Sequence, residues 1–430
     1  MYQKFFENYC IIFFSIIPIT ILIGSSASLL NIIMICLLGL MNLIFIYKQG
    51  YNLFKSKPVK LILFLYIYLI FNSFIALDFE TSAMRNFGFL RYLIFFITCN
   101  YFFFISKKSE KIFSFWLIII LIVIFDVFLE SISGRNTLGY GELYGKRIVS
   151  FFKTEPVVGF YIYSFFLSLL GFLFNKYKNY NDYKKILIVL FSILGFVSVL
   201  VTGERSNTIK CLIAVICFYF INDNFSYKKK ILFFLLTILI FTFSIKHIEF
   251  LKMRYKHQVY NLFAEEKQNH KIASNLYVNL YLSAYKVFKN YPVFGVGNKN
   301  YRVEACNRGH TFEYGVTGKL KQKYNYLCVT HPHQVYFEFL AEHGLIGTII
   351  LLSIFFSLIF KNLKIIILSK NYIQIGCFIY LVLNFIPILP GGSFFSDFKS
   401  TLFWLNLSIM YSVSKDTNIF FLLKKNAKDK

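Results

Sequence analysis

Long apolar runs separated by short polar connectors constrain the fold of this chain more than any other feature of its sequence. Four of the clearest runs are Ile11–Ile23, Leu29–Tyr47, Leu61–Leu77 and Ile231–Ile245. A helix needs about 20 mostly apolar residues to cross a bilayer. Only 16% of the residues are charged, and 57% are hydrophobic, whereas about 25% of a typical soluble domain is charged. The sequence therefore predicts an all-α, polytopic membrane protein.

The apolar runs predict about twelve transmembrane helices. They cover approximately residues 5–23, 28–47, 60–77, 86–105, 112–129, 156–175, 186–202, 207–221, 231–245, 341–360, 371–389 and 400–414. The first run is expected to be a permanent helix, because no small-residue cleavage site follows it. We predict nine transmembrane helices in 1–245, a large external loop in 246–333, three more in 334–414 and a basic cytoplasmic tail in 415–430.

Lysine is concentrated in alternate connectors, and this pattern predicts the orientation of the chain. The positive-inside rule places these connectors and both termini in the cytoplasm. They carry 23 basic and 6 acidic residues, so nucleic acid is not needed to explain the formal charge of +25. All eight arginines fall on the other side or at its membrane edge, namely Arg85, Arg91, Arg135, Arg147, Arg205, Arg254, Arg302 and Arg308. We therefore expect lysine to set the orientation and arginine to lie where function is located.

The predicted external loop, Lys246 to His333, is far longer than the other connectors, and loops of this length are usually functional or disordered. Cys306 and Cys328 both lie in it, on the oxidising side of a bacterial inner membrane, which favours a disulfide over two free thiols. The loop also holds six of the seven histidines, but no two-Cys/two-His zinc spacing is present. We therefore expect no metal site.

Two short segments carry the residues best suited to chemistry. The first, Thr202-Gly203-Glu204-Arg205, is a turn at the predicted outer membrane edge, where an arginine matches the geometry of phosphate oxygens. A simple Glu204–Arg205 surface pair or a lipid-headgroup anchor is the alternative for this turn. Ionisable groups at a membrane edge are costly unless they are paired or liganded.

The second segment runs from Thr330 to Gly347 and resembles the start of a helix that continues into a membrane span. Pro332 suits the first helical turn, so Thr330 or His331 is expected to cap the helix and His333 to lie in its first turn. There the helix dipole would keep His333 neutral, as a general base beside a phosphate requires, and Glu342 would point to the opposite face. A histidine at a wet interface is the alternative.

Together these motifs resemble the bacterial O-antigen ligase and Wzy-type O-antigen polymerase superfamily. The resemblance consists of the Gly-Glu-Arg-Ser turn at 203–206, the Tyr-Pro-x-Phe-Gly-x-Gly run at 291–297 and the His-Pro-His-Gln start at 331–334, in this order. It implies a GT-C-like glycosyltransferase of the inner membrane that works on the periplasmic face. The donor is a glycan on undecaprenyl pyrophosphate, which is already an activated leaving group, so neither a metal nor a cofactor is expected.

The resemblance also implies roles for individual residues. Arg205 would bind the pyrophosphate and stabilise its developing charge, and His333 would deprotonate the acceptor hydroxyl or orient it. Direct displacement would invert the anomeric carbon. Gln334 replaces the commoner Asn, and the family's loop arginine is absent. Its expected substitutes are, in order, Arg302, Arg254 and Lys271. Arg91, inside the fourth predicted span, is expected to belong to the pyrophosphate-binding set, either by supporting the residues that touch the substrate or by contacting lipid phosphate itself. The supporting residues are expected to be His331, Gln334, Glu204 and Glu342.

Three functions are compatible with this sequence. The leading one is an O-antigen ligase-like enzyme with lipid A–core as acceptor, and the first alternative is a polymerase that elongates another lipid-linked repeat unit. The second alternative is a flippase for lipid-linked oligosaccharides, for which charged residues along a central cavity and repeat-like halves are typical. The sequence has no internal repeat, and its histidines collect on one side, which favours one-sided chemistry.

Overall fold

The computed structural model describes residues 2–141, 147–177, 182–257, 276–308 and 326–428, and all regular elements in these ranges are helices. This confirms the predicted all-α class. The helices of six or more residues are α1 Tyr2–Ser15, α2 Ile17–Ile23, α3 Ser25–Lys48, α4 Lys57–Phe74, α5 Phe79–Phe87, α6 Leu90–Ile105, α7 Ser109–Ser133, α8 Val158–Tyr177, α9 Asp182–Val201, α10 Arg205–Ile221, α11 Tyr227–His247, a π-helical turn Lys252–His257, α12 Leu276–Asn290, α13 Tyr301–Arg308, α14 Val335–Phe360, α15 Leu363–Leu368, α16 Tyr372–Leu383, α17 Asp397–Ser412 and α18 Ile419–Lys428.

Each predicted transmembrane segment coincides with a helix, but the count of twelve is not confirmed. Eight helical segments of the described chain are long and apolar enough to cross a membrane, or nine if the pair α1 and α2, bent by 44°, is one span. The other three predicted segments correspond to α10, α16 and α17, which have 17, 12 and 16 residues. The chain is thus a multi-pass membrane protein.

The core of the bundle is formed by α8, α16 and α17, whose residues are almost all buried. Glycine allows α8 and α16 to pack backbone to backbone. A Cβ at Gly171 would overlap the carbonyl of Tyr372, and a Cβ at Gly376 would overlap the carbonyl of Leu167. Small residues at such crossings are typical of helices in membranes, where close packing drives association.

The outer surface of the bundle is apolar, as contact with lipid requires. Helix α11 buries only Phe233 and Thr237, and leaves residues such as Leu232 largely exposed. A soluble protein rarely exposes contiguous apolar surface of this kind. At the predicted outer end, α12 and α13 form part of the connection between α11 and α14, and α12 packs on α14 through stacked rings of Tyr281 and Phe337.

Candidate functional site

The turn between α9 and α10 brings Arg205 to the predicted outer end of the bundle. Gly203 has a φ of +74°, and a Cβ at this position would overlap the ring of Phe250. Only glycine fits this left-handed, tightly covered position without strain. Helix α10 begins directly afterwards, with Arg205 as its first residue.

Glu204 is buried and anchors this turn to α8. Its carboxylate accepts hydrogen bonds from the backbone N–H of Gly159 at 2.6 Å, the N–H of Phe160 at 3.2 Å and the Asn207 amide at 2.6 Å. Burial raises the pKa of Glu204, and these hydrogen bonds and nearby Arg147 oppose the rise. An exposed pair with Arg205 is therefore the wrong description of Glu204, which holds the turn in place.

Arg205 belongs to a cluster of three half-buried arginines, the other two being Arg254 and Arg147. Arg205 Nη1 lies 3.5 Å from the Arg254 carbonyl oxygen, Arg254 Nη2 donates to the Gly203 carbonyl at 3.1 Å, and Arg147 Nη2 donates to the Pro156 carbonyl at 3.1 Å. Burial lowers the pKa of Arg254, and the charges of Arg205 and Arg147 lower it further. We call these three residues the arginine cluster.

The charge of the Glu204 carboxylate reaches the arginine cluster at Arg147, but its oxygens already accept hydrogen bonds from the Gly159 N–H and the Asn207 amide. Within the described ranges, no member of the cluster forms an ion pair, and the buried Nε atoms of Arg147 and Arg254 have no hydrogen-bond partner. Guanidinium groups in mutual repulsion gain most from a bound anion, and their donor geometry suits phosphate. The cluster is therefore equipped to bind a phosphate-bearing substrate.

His333 lies before α14 and not in its first turn, so the predicted helix start was wrong. Its backbone has a φ of +57°, and its carbonyl accepts a hydrogen bond from the Gly391 N–H at 2.7 Å. The helix cap is Gln334, whose Oε1 accepts from the N–H groups of Tyr336 at 2.7 Å and Phe337 at 3.0 Å. The longer amide of Gln334 thus satisfies two free helix donors, which Thr330 and His331 do not.

His331 and His333 stand side by side, with ring centroids 4.0 Å apart. Burial lowers the pKa of His331 to about 3, with further lowering by His333, Lys299 and Lys399. Burial also lowers the pKa of His333, and Lys399 adds to this, although a backbone hydrogen bond at Gly391 and the carboxylate of Glu338 act the other way. Both imidazoles are therefore neutral at pH 7, for a different reason than the helix dipole expected from the sequence.

Tyr277, on α12, connects the histidine pair with the arginine cluster. Its ring centroid lies 6.1 Å from that of His333, and its hydroxyl is close enough to Arg254 for their charges to interact. A neutral base and a cationic cluster thus face the same region at the outer end of the bundle. This juxtaposition suits a reaction that removes a proton beside an anionic leaving group.

The loop 291–297 packs into a break in α14. This one contact explains two sequence motifs, the Tyr-Pro-x-Phe-Gly-x-Gly run at 291–297 and the glycine at 344 in the segment from Thr330 to Gly347. Gly344 has φ 63° and ψ −168°, which interrupts the helix. The N–H groups of Leu345 and Ile346 consequently donate to the carbonyls of Pro292 at 2.8 Å and Val293 at 3.2 Å. A Cβ on Gly344 or Gly295 would overlap the opposite backbone, so both positions require glycine.

Asparagines fix the same loop to the end of α4 and to Asp78, in the turn that follows it. Asn298 N–H donates to Asn72 Oδ1 at 2.7 Å, and Asn300 Oδ1 accepts from the Asp78 N–H at 2.7 Å. Between them, Lys299 has a φ of +66° and donates from Nζ to Ser393 Oγ. The two asparagines thereby hold the ammonium group of Lys299 beside the histidine pair.

The structure places the remaining predicted residues at different distances from this site. Arg91 Nη2 donates to Asp397 Oδ1 at 2.5 Å and lines a separate cavity of about 330 Å³. Arg302 is exposed on α13, and no described contact brings it to Arg205. Arg254, the second choice for the missing loop arginine, is the one that joins Arg205. Lys271 lies outside the described residues.

Two further predicted elements lie behind the site. Glu342 is buried on α14, where its carboxylate neighbours Glu338 and Lys299 and does not contact the histidine pair. Cys306 and Cys328 form a disulfide in the structure, which joins α13 to the chain that leads to His333. In the part of the chain that the structure describes, neither contacts the histidine pair or the arginine cluster.

The sequence did not single out Arg147, Glu338 and Lys399, which the structure brings to the site. Nor did it single out Lys210, which is buried on α10. Lys210 left one usable signal, because it is the only charged residue inside the predicted span 207–221. Lys399 stands directly before the predicted span 400–414 and carried no comparable signal. Arg147 was counted only as one of eight outer arginines.

Comparison with known families agrees with the resemblance seen in the motifs. Residues 190–352 match a family described as O-antigen ligase. The matched region includes Arg205, Arg254 and His333, whereas Arg147 and Lys399 lie outside it. No curated protein matches the chain significantly.

Proposed function

We propose that this chain, which carries an O-antigen ligase family domain over residues 190–352, is a GT-C-like glycosyltransferase that acts on the periplasmic face of the bacterial inner membrane. It moves a glycan from undecaprenyl pyrophosphate to a hydroxyl of lipid A–core. The observation that carries this proposal is an arginine cluster that forms no ion pair within the described part of the chain, next to a pair of neutral histidines.

The proposed reaction is a direct displacement at the anomeric carbon of the glycan. His333 takes the proton of the acceptor hydroxyl, whose oxygen forms the new glycosidic bond with inversion. The bond between the anomeric carbon and the pyrophosphate oxygen breaks, and its electron pair leaves with the lipid pyrophosphate. Arg205, Arg254 and Arg147 stabilise the negative charge that grows on this leaving group. His331 and Tyr277 orient His333.

The proposal needs neither a metal nor a cofactor, because pyrophosphate is a good leaving group when cations neutralise it. We expect transfer to persist in EDTA. The first alternative, a repeat-unit polymerase, uses the same chemistry with another lipid-linked glycan as acceptor. The pattern of lipopolysaccharide in a deletion strain distinguishes the two. Bare core with accumulated lipid-linked polymer indicates a ligase, whereas core with one repeat unit indicates a polymerase.

The decisive residues are tested by complementation of that strain. Arg205→Ala and His333→Ala should abolish glycan transfer while the protein reaches the membrane at wild-type levels. Matched controls are Arg135→Ala and His247→Ala, which change exposed residues away from the site and should restore wild-type lipopolysaccharide. Transfer at the wild-type level by Arg205→Ala or His333→Ala would remove that residue from the mechanism.

A further inference from the structure

Two carboxylates are buried near the outer end of α7. Asp126 is fully buried, and Glu130, one helical turn later, is 4% exposed. Neither forms an ion pair with any residue that the structure describes. Like charges at this spacing on a helix repel each other, and ionisable groups inside a transmembrane helix are costly and usually have a function. We call these two residues the α7 carboxylate pair.

The loop between α7 and α8 supplies the hydrogen-bond donors for this pair. Glu130 Oε1 accepts from the Val149 N–H at 3.0 Å, and its Oε2 accepts from the Ser150 N–H at 2.6 Å. Asp126 Oδ2 accepts from Ser150 Oγ at 2.5 Å, and its Oδ1 accepts from the N–H and the hydroxyl of Thr137 at 2.9 and 2.6 Å. Hydrogen bonds to a charged acceptor are the stronger kind, and these five occupy all four carboxylate oxygens. The pair therefore holds the loop.

The loop keeps a backbone conformation that its residues disfavour. Ser150 has a φ of +48° and Lys153 a φ of +56°, in the left-handed region that non-glycine residues rarely adopt. Besides the two contacts with the α7 carboxylate pair, the Ser150 carbonyl accepts from Asn136 Nδ2 at 2.6 Å. Strained positions persist only where the surrounding contacts over-determine them, and they are concentrated at functional sites. The carboxylates thus fix a conformation that the loop disfavours on its own.

This loop carries Arg147, a member of the arginine cluster. Arg147 Nη2 donates to the Pro156 carbonyl at 3.1 Å, near the other end of the loop, and its buried Nε has no hydrogen-bond partner. Three residues after Pro156, the Gly159 N–H donates to Glu204, which holds the Arg205 turn. A buried carboxylate that accepts from backbone N–H groups therefore fixes each of the two segments, one with Arg147 and one with Arg205.

We propose that Asp126 and Glu130 are positioning residues, which hold Arg147 in place for the leaving pyrophosphate. The proposal rests on the function proposed above, and it adds two residues that act through Arg147 and do not contact a substrate themselves. A guanidinium that is fixed before the donor binds needs no reordering when charge develops on the leaving group. Loss of either carboxylate would free the loop, so that Arg147 keeps its charge but loses its position.

The first test compares initial transfer rates of the purified full-length protein at donor concentrations below KM. Asp126→Ala and Glu130→Ala remove the hydrogen-bond acceptors. Asp126→Asn keeps one oxygen and presents an amide N–H to the Ser150 hydroxyl, which can accept it. Each variant is made alone and in combination with Arg147→Ala. Glu110→Gln, which changes an exposed carboxylate at the start of the same helix, is the matched control.

We expect Asp126→Ala and Glu130→Ala to lower kcat/KM for the donor by about tenfold or more, the scale of one charge-assisted hydrogen bond. In the Arg147→Ala background the same changes should cost less than about twofold, because the residue that they position is already gone. Asp126→Asn should keep most of the wild-type rate. A merely structural role would instead lower the rate by the same factor in both backgrounds.

The second test follows the loop without the reaction, by hydrogen–deuterium exchange. Glu130→Ala leaves the N–H groups of Val149 and Ser150 without their acceptor, so peptides that cover 147–157 should exchange about tenfold faster or more. Peptides of the buried helix α16 should keep their wild-type exchange rate, which shows that the variant is folded.

Three results would overturn the positioning role. The first is an equal fractional loss of transfer with and without Arg147→Ala, and the second is a wild-type rate for Glu130→Ala or for Arg147→Ala alone. The third is unchanged exchange of 147–157 in Glu130→Ala. If wild type transfers no glycan, the proposed function fails instead, and the exchange result then decides whether the α7 carboxylate pair holds the loop of Arg147.

Discussion

Replacement of Arg254 tests which cation assists Arg205, because the structure and the sequence rank the candidates differently. The sequence placed Arg302 first, whereas the structure leaves Arg302 exposed and joins Arg254 to the Arg205 turn. Arg254→Ala removes a guanidinium that would make at least one charge-assisted hydrogen bond to the pyrophosphate. Such a bond contributes about 1.5–3 kcal/mol.

This free energy corresponds to a loss of about 10- to 150-fold in kcat/KM for the donor. The assay is initial-rate transfer by purified protein at donor concentrations below KM. Arg254→Lys keeps the charge but loses the planar fork, so we expect an intermediate loss. Arg302→Ala is the matched control on the same outer loop and should stay within about twofold of wild type. The reverse pattern, a large loss for Arg302→Ala and none for Arg254→Ala, would refute the arrangement of the arginine cluster.

Three further predictions concern the base, the helix cap and the loop contact. Because the pKa of His333 is lowered, its base form persists below the ordinary histidine pKa of about 6.5. The pH–rate profile should therefore be flat from pH 8 to 6.5 and fall only below pH 6.5. A fall that begins above pH 7 would contradict the burial of the imidazole. Gln334→Ala removes the cap of α14 and should destabilise the protein by about 1 kcal/mol in thermal unfolding, whereas Gln334→Asn should keep most of the stability. Gly344→Ala should lower stability by about 1–3 kcal/mol through backbone strain and should lower transfer as well; an unchanged melting temperature would show that the loop 291–297 does not pack into the break.

The helices of this protein could be predicted from the sequence because a bilayer demands long apolar runs. Each predicted span is helical in the structure, although α10, α16 and α17 are shorter than a full span. Apolar runs give the position of a helix, but its ends depend on local caps and turns. The apolar runs alone therefore do not establish the predicted count of twelve membrane spans.

The site was predictable in its residue types and less so in its geometry. Arg205 and His333 stand out because a fixed cation and a titratable base at a membrane edge have few structural uses. The left-handed backbone of His333 could not be predicted from the sequence, since non-glycine residues rarely adopt that conformation. Nor could the cap formed by Gln334 be predicted. The preference for Arg302 over Arg254 was undecidable from spacing, because tertiary packing alone brings the π-helical turn to Gly203.

The most direct test of one-sided glycosyl transfer uses the purified protein in detergent, where no second compartment exists. The protein is supplied with a glycan on undecaprenyl pyrophosphate and with a phosphorylated acceptor, and the products are analysed by mass spectrometry and NMR. We predict a glycan joined to the acceptor with inverted anomeric configuration, one undecaprenyl pyrophosphate released per transfer, and no product with His333→Ala or Arg205→Ala. Absence of transfer by wild-type protein, together with movement of the lipid-linked glycan across proteoliposome membranes, would contradict the account and indicate a flippase.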